Sequence, residues 1–140
     1  MASAVIERVV LKNYRSIRAC QVELGPLTFL VGPNGSGKSN FLDALRLVSD
    51  SLTTSLDQAF RERGGIAQVR RVPADQRPYI GLRFDLTIGT RRATYSLQLG
   101  VAGDSDRAGR GWVSHEECVL DAEDPVNLLV DSGSRTAWCG

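Results

Sequence analysis

LTFLVGPNGSGKSNFLDALRL, residues 27–47, is the stretch that decides the fold of this chain, because its character changes twice within a short distance. It begins with an apolar run from Leu27 to Val31, which predicts a buried strand. A glycine-rich loop follows, and from Lys38 onward apolar residues recur at helical spacing. The stretch therefore predicts a strand, a loop and a helix in direct succession.

The loop between the predicted strand and helix matches the P-loop pattern G-x-x-x-x-G-K-[ST] at Gly32, Gly37, Lys38 and Ser39. Glycines allow the backbone to approach a ligand closely, so that consecutive N–H groups can point at one anion. The start of the following helix leaves N–H groups unpaired and carries a partial positive charge. We therefore predict that this loop holds the phosphates of a nucleotide.

Individual side chains in the loop have distinct expected roles. Lys38 would reach the β- and γ-phosphates, and the Ser39 hydroxyl would hold Mg²⁺. Pro33 fixes the backbone on the way into the loop, and Asn34 tolerates turn conformations. A Gly/Ser turn that matches the motif by chance is the alternative, and the strand and helix patterns on either side argue against it.

Bulk composition indicates a globular protein of one domain. The chain has 140 residues, 42% of them hydrophobic and 24% charged, and its net charge of +1 points to no partner. No apolar run approaches the roughly 20 residues of a membrane span, which leads us to expect a cytoplasmic protein without membrane contact. Cys20, Cys118 and Cys139 are too far apart for a metal site, and His115 is the only histidine.

Alternating and helical patterns predict the remaining elements. Before the loop we expect strands at Val5–Leu11 and Cys20–Leu24 in addition to the apolar run at Leu27–Val31. After the first helix we expect a second helix at Leu52–Arg63 and an exposed connection at Ile66–Pro78. Three further strands are predicted at Tyr79–Ile88, Arg92–Val101 and Trp112–Leu120, with the first two joined as a hairpin.

This order of elements predicts an α/β fold with α+β character: a strand, P-loop and helix core flanked by an antiparallel β layer. We expect one domain over residues 1–140. Within it, we expect strands, loop and first helix over 1–50, a helix and basic connection over 51–77, antiparallel strands over 78–123, and a tail over 124–140. The tail holds a short apolar run ending at Asp131, which invites comparison with an acidic strand end that supports Mg²⁺, and Asp121 is a weaker version of it.

At GPNGSGKSNFLDAL, residues 32–45, the chain resembles the ABC-type ATPases of the chromosome-maintenance and repair group, which comprises the SMC, Rad50 and RecF proteins and the overcoming-lysogenization-defect (OLD) nucleases. The resemblance extends upstream over VLKNYRSIRACQVELGPLTFLVG, residues 10–32. Downstream, FRERGG at 60–65 and SHEECVL at 114–120 look like the RecF-like AAA ATPases of bacteria. The match is strong over residues 5–48 and looser after them.

The resemblance implies an ATP site with Mg²⁺. Its Walker A residues would be Gly32, Pro33, Asn34, Gly35, Ser36, Gly37, Lys38, Ser39 and Asn40, with Lys38 catalytic. Lys12 to Arg15 lie where family members approach the nucleotide, so Arg15 is a further candidate, although an ordinary exposed arginine fits it equally well. The resemblance also implies a head-to-tail homodimer of the full-length protein and DNA as a partner.

The same resemblance leaves parts of the family's site unmatched. No LSGG segment occurs, and no run of four apolar residues is followed by Asp-Glu. The chain therefore resembles an N-terminal lobe, with hydrolysis expected once a C-terminal lobe and a dimer partner complete the site. Two alternatives remain: a nucleotide-binding or interaction module without hydrolysis, and a small P-loop kinase or GTPase, for which D-x-x-G at Asp106–Gly109 is the only further match. A suggestive basic cluster comprises Arg61, Arg63, Arg70, Arg71 and Arg77.

Overall fold

A computed structural model describes residues 3–71, 79–101, 111–121, 126–131 and 134–139. Within these residues the chain forms three helices and seven strands. The helices are α1 Lys38–Thr53, α2 Leu56–Arg61 and α3 Ile66–Val69. The strands are β1 Ala4–Tyr14, β2 Ile17–Glu23, β3 Tyr79–Ile88, β4 Arg91–Val101, β5 Gly111–Leu120, β6 Val126–Asp131 and β7 Ser134–Cys139.

The strands form one sheet in the order β2-β1-β3-β4-β5-β6-β7, and each neighbouring pair is antiparallel. Val9 of β1 lies opposite Phe84 of β3, which lies opposite Tyr95 of β4. Because side chains alternate across a strand, this register places the apolar positions of β1, β3 and β4 on one face. The hydrophobic core packs against that face of the sheet.

Helices α1 and α2 cover this face of the sheet. The spacing of Phe41, Ala44 and Leu47 gives α1 one apolar stripe, and all three side chains are buried. Ala59 and Phe60 of α2 are buried in the same cluster. The core therefore lies between the antiparallel sheet and the helix that follows the glycine-rich loop.

Most of the predicted elements are confirmed. Strand β3 has the predicted bounds, and β4 and β5 each begin one residue earlier than predicted. The predicted first strand continues to Tyr14 in β1, and β2 occupies Ile17–Glu23, where Cys20–Leu24 was expected. The mixed α/β fold with an antiparallel sheet is as predicted.

The strand predicted at Leu27–Val31 is wrong: in the part of the chain that the structure describes, no strand pairs with it. Three side chains of this segment are largely exposed, at 74% for Leu27, 76% for Phe29 and 91% for Val31. Leu30 is partly buried against the core. An apolar run becomes a strand only where its backbone exchanges hydrogen bonds with another strand, and among the described residues the segment at 27–31 makes no such pairing.

The helical region after α1 also differs from the prediction. Helix α1 continues to Thr53, and α2 begins only at Leu56, because the Ser55 side chain caps it by accepting a hydrogen bond of 3.1 Å from the Gln58 N–H. The exposed connection predicted at Ile66–Pro78 is wrong over its first turn, which forms α3 with Ile66 and Val69 buried. None of the described helices is long and apolar enough to cross a membrane.

Two sequence features fall outside the described residues. Arg77 lies in 72–78, and the D-x-x-G match at Asp106–Gly109 lies in 102–110.

The tail contains strands β6 and β7 at the edge of the sheet, where we predicted no regular elements.

Candidate phosphate-binding site

The glycine-rich loop lies directly before α1 and takes a conformation that requires glycine. Gly35 and Gly37 have φ angles of 82° and 97°, in the left-handed region that residues with a Cβ rarely occupy. Gly37 is the N-cap of α1 and supplies no side-chain cap. A Cβ at Gly37 would also lie 3.3 Å from Cγ1 of Ile17, so β2 packs directly against the loop.

The first turn of α1 presents unpaired backbone donors. The first hydrogen bond of the helix runs from the Phe41 N–H to the Gly37 carbonyl, at 2.9 Å. The N–H groups of Lys38, Ser39 and Asn40 precede it and therefore have no carbonyl partner within the helix. Together with the positive end of the helix dipole, they form a binding position for an anion.

Lys38 folds back over the loop. Its Nζ donates to the carbonyl oxygens of Gly32 at 2.6 Å and Pro33 at 2.7 Å, and to Oγ of Ser36 at 3.1 Å. These three acceptors match the three protons of the ammonium group. The positive charge of Lys38 is therefore held over the loop that leads into the first turn of α1.

A corner at residues 13–16 supports the loop from the side of the sheet. Asn13 and Arg15 both have positive φ angles, of 56° and 47°, which turn the chain sharply between β1 and β2. The Asn40 side chain donates a 2.7 Å hydrogen bond from Nδ2 to Oγ of Ser16, linking α1 to this corner. The backbone of α3 also joins it, through a 2.6 Å bond from the Arg15 N–H to the Val69 carbonyl.

A cavity of about 560 Å³ opens beside the loop. Its walls come from the first half of β2, the segment at 29–31, the loop at 35–38 and the side chain of Phe41. Arg18 adds a second cationic side chain beside Lys38, and Ile17, Val22 and Phe29 make part of the wall apolar. The cavity thus combines an apolar surface with the phosphate-binding loop at one side.

Asp43, one turn beyond the loop on α1, is the centre of a cluster of polar side chains. Its carboxylate accepts hydrogen bonds from the Tyr14 hydroxyl at 2.7 Å, Arg15 Nε at 3.0 Å and Arg63 Nε at 3.1 Å. Partial burial alone would raise the pKa of Asp43, but the Tyr14 hydrogen bond and the charges of Arg63 and Arg15 lower it below the ordinary value. Burial and the Asp43 carboxylate raise the pKa of Tyr14, so it stays protonated and donates.

The candidate residues predicted from the sequence fall into two groups. The residues at 35–38 line the cavity, and Ser39 is exposed at the first turn of α1. The Arg15 guanidinium instead binds Asp43. Sequence reasoning missed Asp43, for which the one available signal was the position of an aspartate next to the apolar stripe of α1, and it placed Arg63 in a basic cluster without predicting its contact with Asp43.

The basic cluster is divided in the same way by the structure. Arg61 is exposed, but the Arg63 side chain is only 8% exposed and serves inside the fold. Arg71 donates from Nη1 to the Ser16 carbonyl at 2.9 Å. The cluster is therefore not one continuous solvent-facing surface.

Comparisons with known proteins identify similar sequences over most of this chain. Residues 5–93 match the AAA ATPase domain family. The DNA replication and repair protein RecF of Erwinia tasmaniensis is 30% identical over 129 residues, which cover 91% of this chain and 33% of RecF. The OLD nuclease of Thermus scotoductus is 42% identical over 57 residues, 41% of this chain and 11% of the nuclease.

A third relative is the structural maintenance of chromosomes protein 1B of Mus musculus, 46% identical over 54 residues, which cover 36% of this chain and 4% of that protein. The chain thus spans a third or less of the length of these relatives. No solved structure matches it significantly.

Proposed function

Because this chain belongs to the family of AAA ATPase domains, we propose that it binds ATP with Mg²⁺ through the loop and first helical turn at residues 32–40. The observation that carries the proposal is the arrangement at the start of α1, where three backbone N–H groups without helical partners follow the loop over which the Lys38 ammonium group is held. Such a site suits a polyphosphate, because several donors and a positive charge converge on one small volume.

The cavity beside the loop supports a nucleotide over a simple phosphate ion. A nucleoside needs a partly apolar wall next to the phosphate donors, and Ile17, Val22 and Phe29 supply such surface within the same cavity as Lys38. We place the base and ribose in this cavity, between β2 and the loop. Arg18 stands beside it as an additional cation for the phosphates.

The residues at the first turn of α1 also suit Mg²⁺. Ser39 offers a hydroxyl oxygen, the hard type of ligand that Mg²⁺ prefers, and it is exposed beside the loop. With Mg²⁺ held there, its positive charge would help to neutralise the charge that develops on the phosphates during phosphoryl transfer. Lys38 would neutralise charge on the same phosphates, which makes it the catalytic candidate.

We propose that hydrolysis requires further protein beside the segment at 27–31. Leu27, Phe29 and Val31 expose one apolar face directly before the loop, and their backbone groups have no strand partner among the described residues. A strand pairing there would bury this face and bring a second row of residues to the phosphate site. In this proposal a C-terminal lobe and a head-to-tail partner supply the missing catalytic groups.

Binding without turnover is the second candidate function for the 140 residues. The exposed 27–31 face favours it, because the side of the loop where a second catalytic strand would stand is uncovered in the described chain. A small kinase or GTPase fits less well, since the described sheet is antiparallel and such enzymes alternate strands with helices. Turnover by the purified chain would contradict the binding-only reading.

DNA enters the proposal through the relatives alone, one of which is named a DNA replication and repair protein. Arg61 and Arg71 are exposed and could contact DNA phosphates, whereas the Arg63 side chain is enclosed in the fold. Absence of DNA retention by the dimeric, ATP-bound protein at low salt would contradict this partner. The cytoplasmic location stays a prediction.

Removal of the Lys38 ammonium group tests the proposal. We expect Lys38→Ala to weaken binding of a non-hydrolysable ATP analogue by at least about tenfold, because a charge-assisted contact to phosphate is lost. Isothermal titration calorimetry measures this. Arg46→Ala is the matched control, since it removes one positive charge from the exposed side of the same helix. Equal affinities for the two variants would refute the assignment of the site.

A further inference from the structure

The Asp43 carboxylate joins three parts of the chain that are distant in sequence. Tyr14 and Arg15 reach it from the corner between β1 and β2, and Arg63 reaches it from the turn after α2. Asp43 itself belongs to α1, one turn beyond the phosphate-binding loop. A single side chain therefore fixes the helix of the proposed ATP site against both of its neighbours.

Arg63 is the most enclosed charged side chain of the cluster. Besides Asp43, it donates to Oδ2 of Asp50 at 2.7 Å and to the Ala59 carbonyl at 2.9 Å, and its side chain is 8% exposed. A guanidinium held at three points by planar hydrogen bonds has a defined orientation, which a flexible surface ion pair lacks. Arg63 therefore attaches α1 at two points, Asp43 and Asp50, which lie about two turns apart, to the end of α2.

The cluster is linked to the loop through short contacts. Arg15 is followed by Ser16, which accepts the hydrogen bond from Asn40, and by Ile17, which packs against Gly37. A rotation of α1 about its axis would therefore break the Asp43 contacts and the Asn40 and Gly37 contacts together. Interiors transmit such displacements because they are close-packed.

We propose that Asp43 and Arg63 form a positioning pair for the phosphate-binding loop, which holds the first turn of α1 at the orientation that nucleotide binding requires. The inference rests on the proposed ATP site. Neither residue lines the cavity beside the loop, so the pair acts through the placement of α1 and the corner at 13–16. Arg15 belongs to the same unit and acts on the loop through Asp43.

Asp85 offers a matched control for this proposal. Its carboxylate also accepts hydrogen bonds from two arginines, Arg8 at 2.5 Å and Arg83 at 2.9 Å, but it lies on β3, on the sheet face opposite the core. Asp43→Asn and Asp85→Asn therefore remove the same kind of interaction at two distances from the loop. Similar losses of stability are expected for the two, and different effects on the site.

The first measurement is the affinity for a fluorescent ATP analogue. Asp43→Asn is expected to weaken it about tenfold, and Asp85→Asn less than about twofold, because only Asp43 orients α1. Arg63→Gln should weaken binding to a similar extent, and the Asp43→Asn/Arg63→Gln double variant no more than either single one, since the pair acts as a unit. Additive losses, or equal affinities for the Asp43 and Asp85 variants, would overturn the proposal.

The second measurement does not depend on the nucleotide. Hydrogen exchange of the α1 amides from Phe41 to Leu47, which follow the unpaired amides of the first turn, should be faster in Asp43→Asn than in the wild-type protein, and unchanged in Asp85→Asn. If the Asp43 variant does not fold, the same comparison of Arg63→Gln with Asp85→Asn decides. A wild-type protein that binds no ATP analogue would contradict the ATP site and, with it, the role of the pair in nucleotide binding. Binding of the analogue by the wild-type protein together with unchanged exchange in Asp43→Asn would overturn the pair alone.

Discussion

The hairpin of β3 and β4 and the segment at 27–31 are both rich in apolar residues and both predicted as strands, yet only the hairpin forms them. In the hairpin, residues from Tyr79 to Ile88 pair without interruption with those from Gly100 to Arg91. The segment at 27–31 has neither a pairing strand among the described residues nor cover for its apolar face. Two phenylalanines show the contrast: Phe84 is 5% exposed and Phe29 is 76% exposed.

This difference teaches that an apolar pattern shows only which surface a segment can bury. Whether the segment forms a buried strand also depends on the partner that covers this surface. The pattern in β3 is satisfied by β1 and β4, which are both within the described chain. The apolar run before the loop is largely uncovered among the described residues, and exposed apolar groups of this kind invite association. The phosphate-binding loop thus lies between the covered core below α1 and an apolar segment that is uncovered among the described residues.

Truncation of Phe84 should have the largest effect on the stability of the protein. Phe84→Ala is expected to lower the free energy of unfolding by about 3–5 kcal/mol, because it leaves a cavity between β3 and the helices where the ring now packs beside Tyr95. Urea unfolding followed by far-UV circular dichroism measures it. A loss below about 1 kcal/mol would mean that this part of the sheet is not the core.

The strands of the β3–β4 hairpin could be predicted from the sequence because the patterns that indicate them are local. The alternation in Tyr79–Ile88 states which residues face the core, and Gly89, with a φ of 63°, supplies the turn of the hairpin. The apolar stripe of α1 was equally clear. By contrast, the burial of Ile66 and Val69 in α3 depends on contacts with the corner at 13–16, which no local pattern reveals.

The residues of the candidate site also divide into those that a local pattern predicts and those whose role depends on distant contacts. The positions of Gly37 and Lys38 follow from a motif whose spacing reflects the geometry of backbone N–H groups at a helix start. The role of Asp43 could not be predicted, because it depends on Tyr14, Arg15 and Arg63, which lie 20 to 29 residues away in sequence. Long-range polar contacts leave no periodic signal.

Acid should weaken both the sheet and helix α1, because each contains one arginine-bound carboxylate, Asp85 in β3 and Asp43 in α1. The pKa of Asp85, like that of Asp43, is lowered: burial alone would raise it, but hydrogen bonds from Arg83, Arg8 and Thr94 outweigh burial. A lowered folded-state pKa contributes stability above the unfolded-state value of about 3.9, and that stability is lost as pH falls through the folded-state pKa. We expect constant stability between about pH 7 and 5 and a loss of about 1–3 kcal/mol below about pH 4.

The two carboxylates can be separated by urea unfolding at several pH values. Asp85→Asn removes the contribution of the sheet and should leave the part due to Asp43, whereas Asp43→Asn should do the reverse. The double variant should show a shallower loss of stability below about pH 4 than the wild-type protein. An acid limb that is identical in all four proteins would show that neither carboxylate contributes to the folded state as inferred.

The smallest effect on stability is expected for a substitution of Phe29. This substitution tests whether the segment at 27–31 is an uncovered apolar surface or part of the core. Phe29→Ser should change the free energy of unfolding by less than about 0.5 kcal/mol, because the ring is largely exposed and its removal leaves no cavity. The same substitution should reduce self-association in analytical ultracentrifugation, since it removes apolar surface from the uncovered face. A loss of stability approaching that of Phe84→Ala would show instead that the 27–31 segment already packs within the 140 residues, and that no further strand is needed beside the phosphate-binding loop.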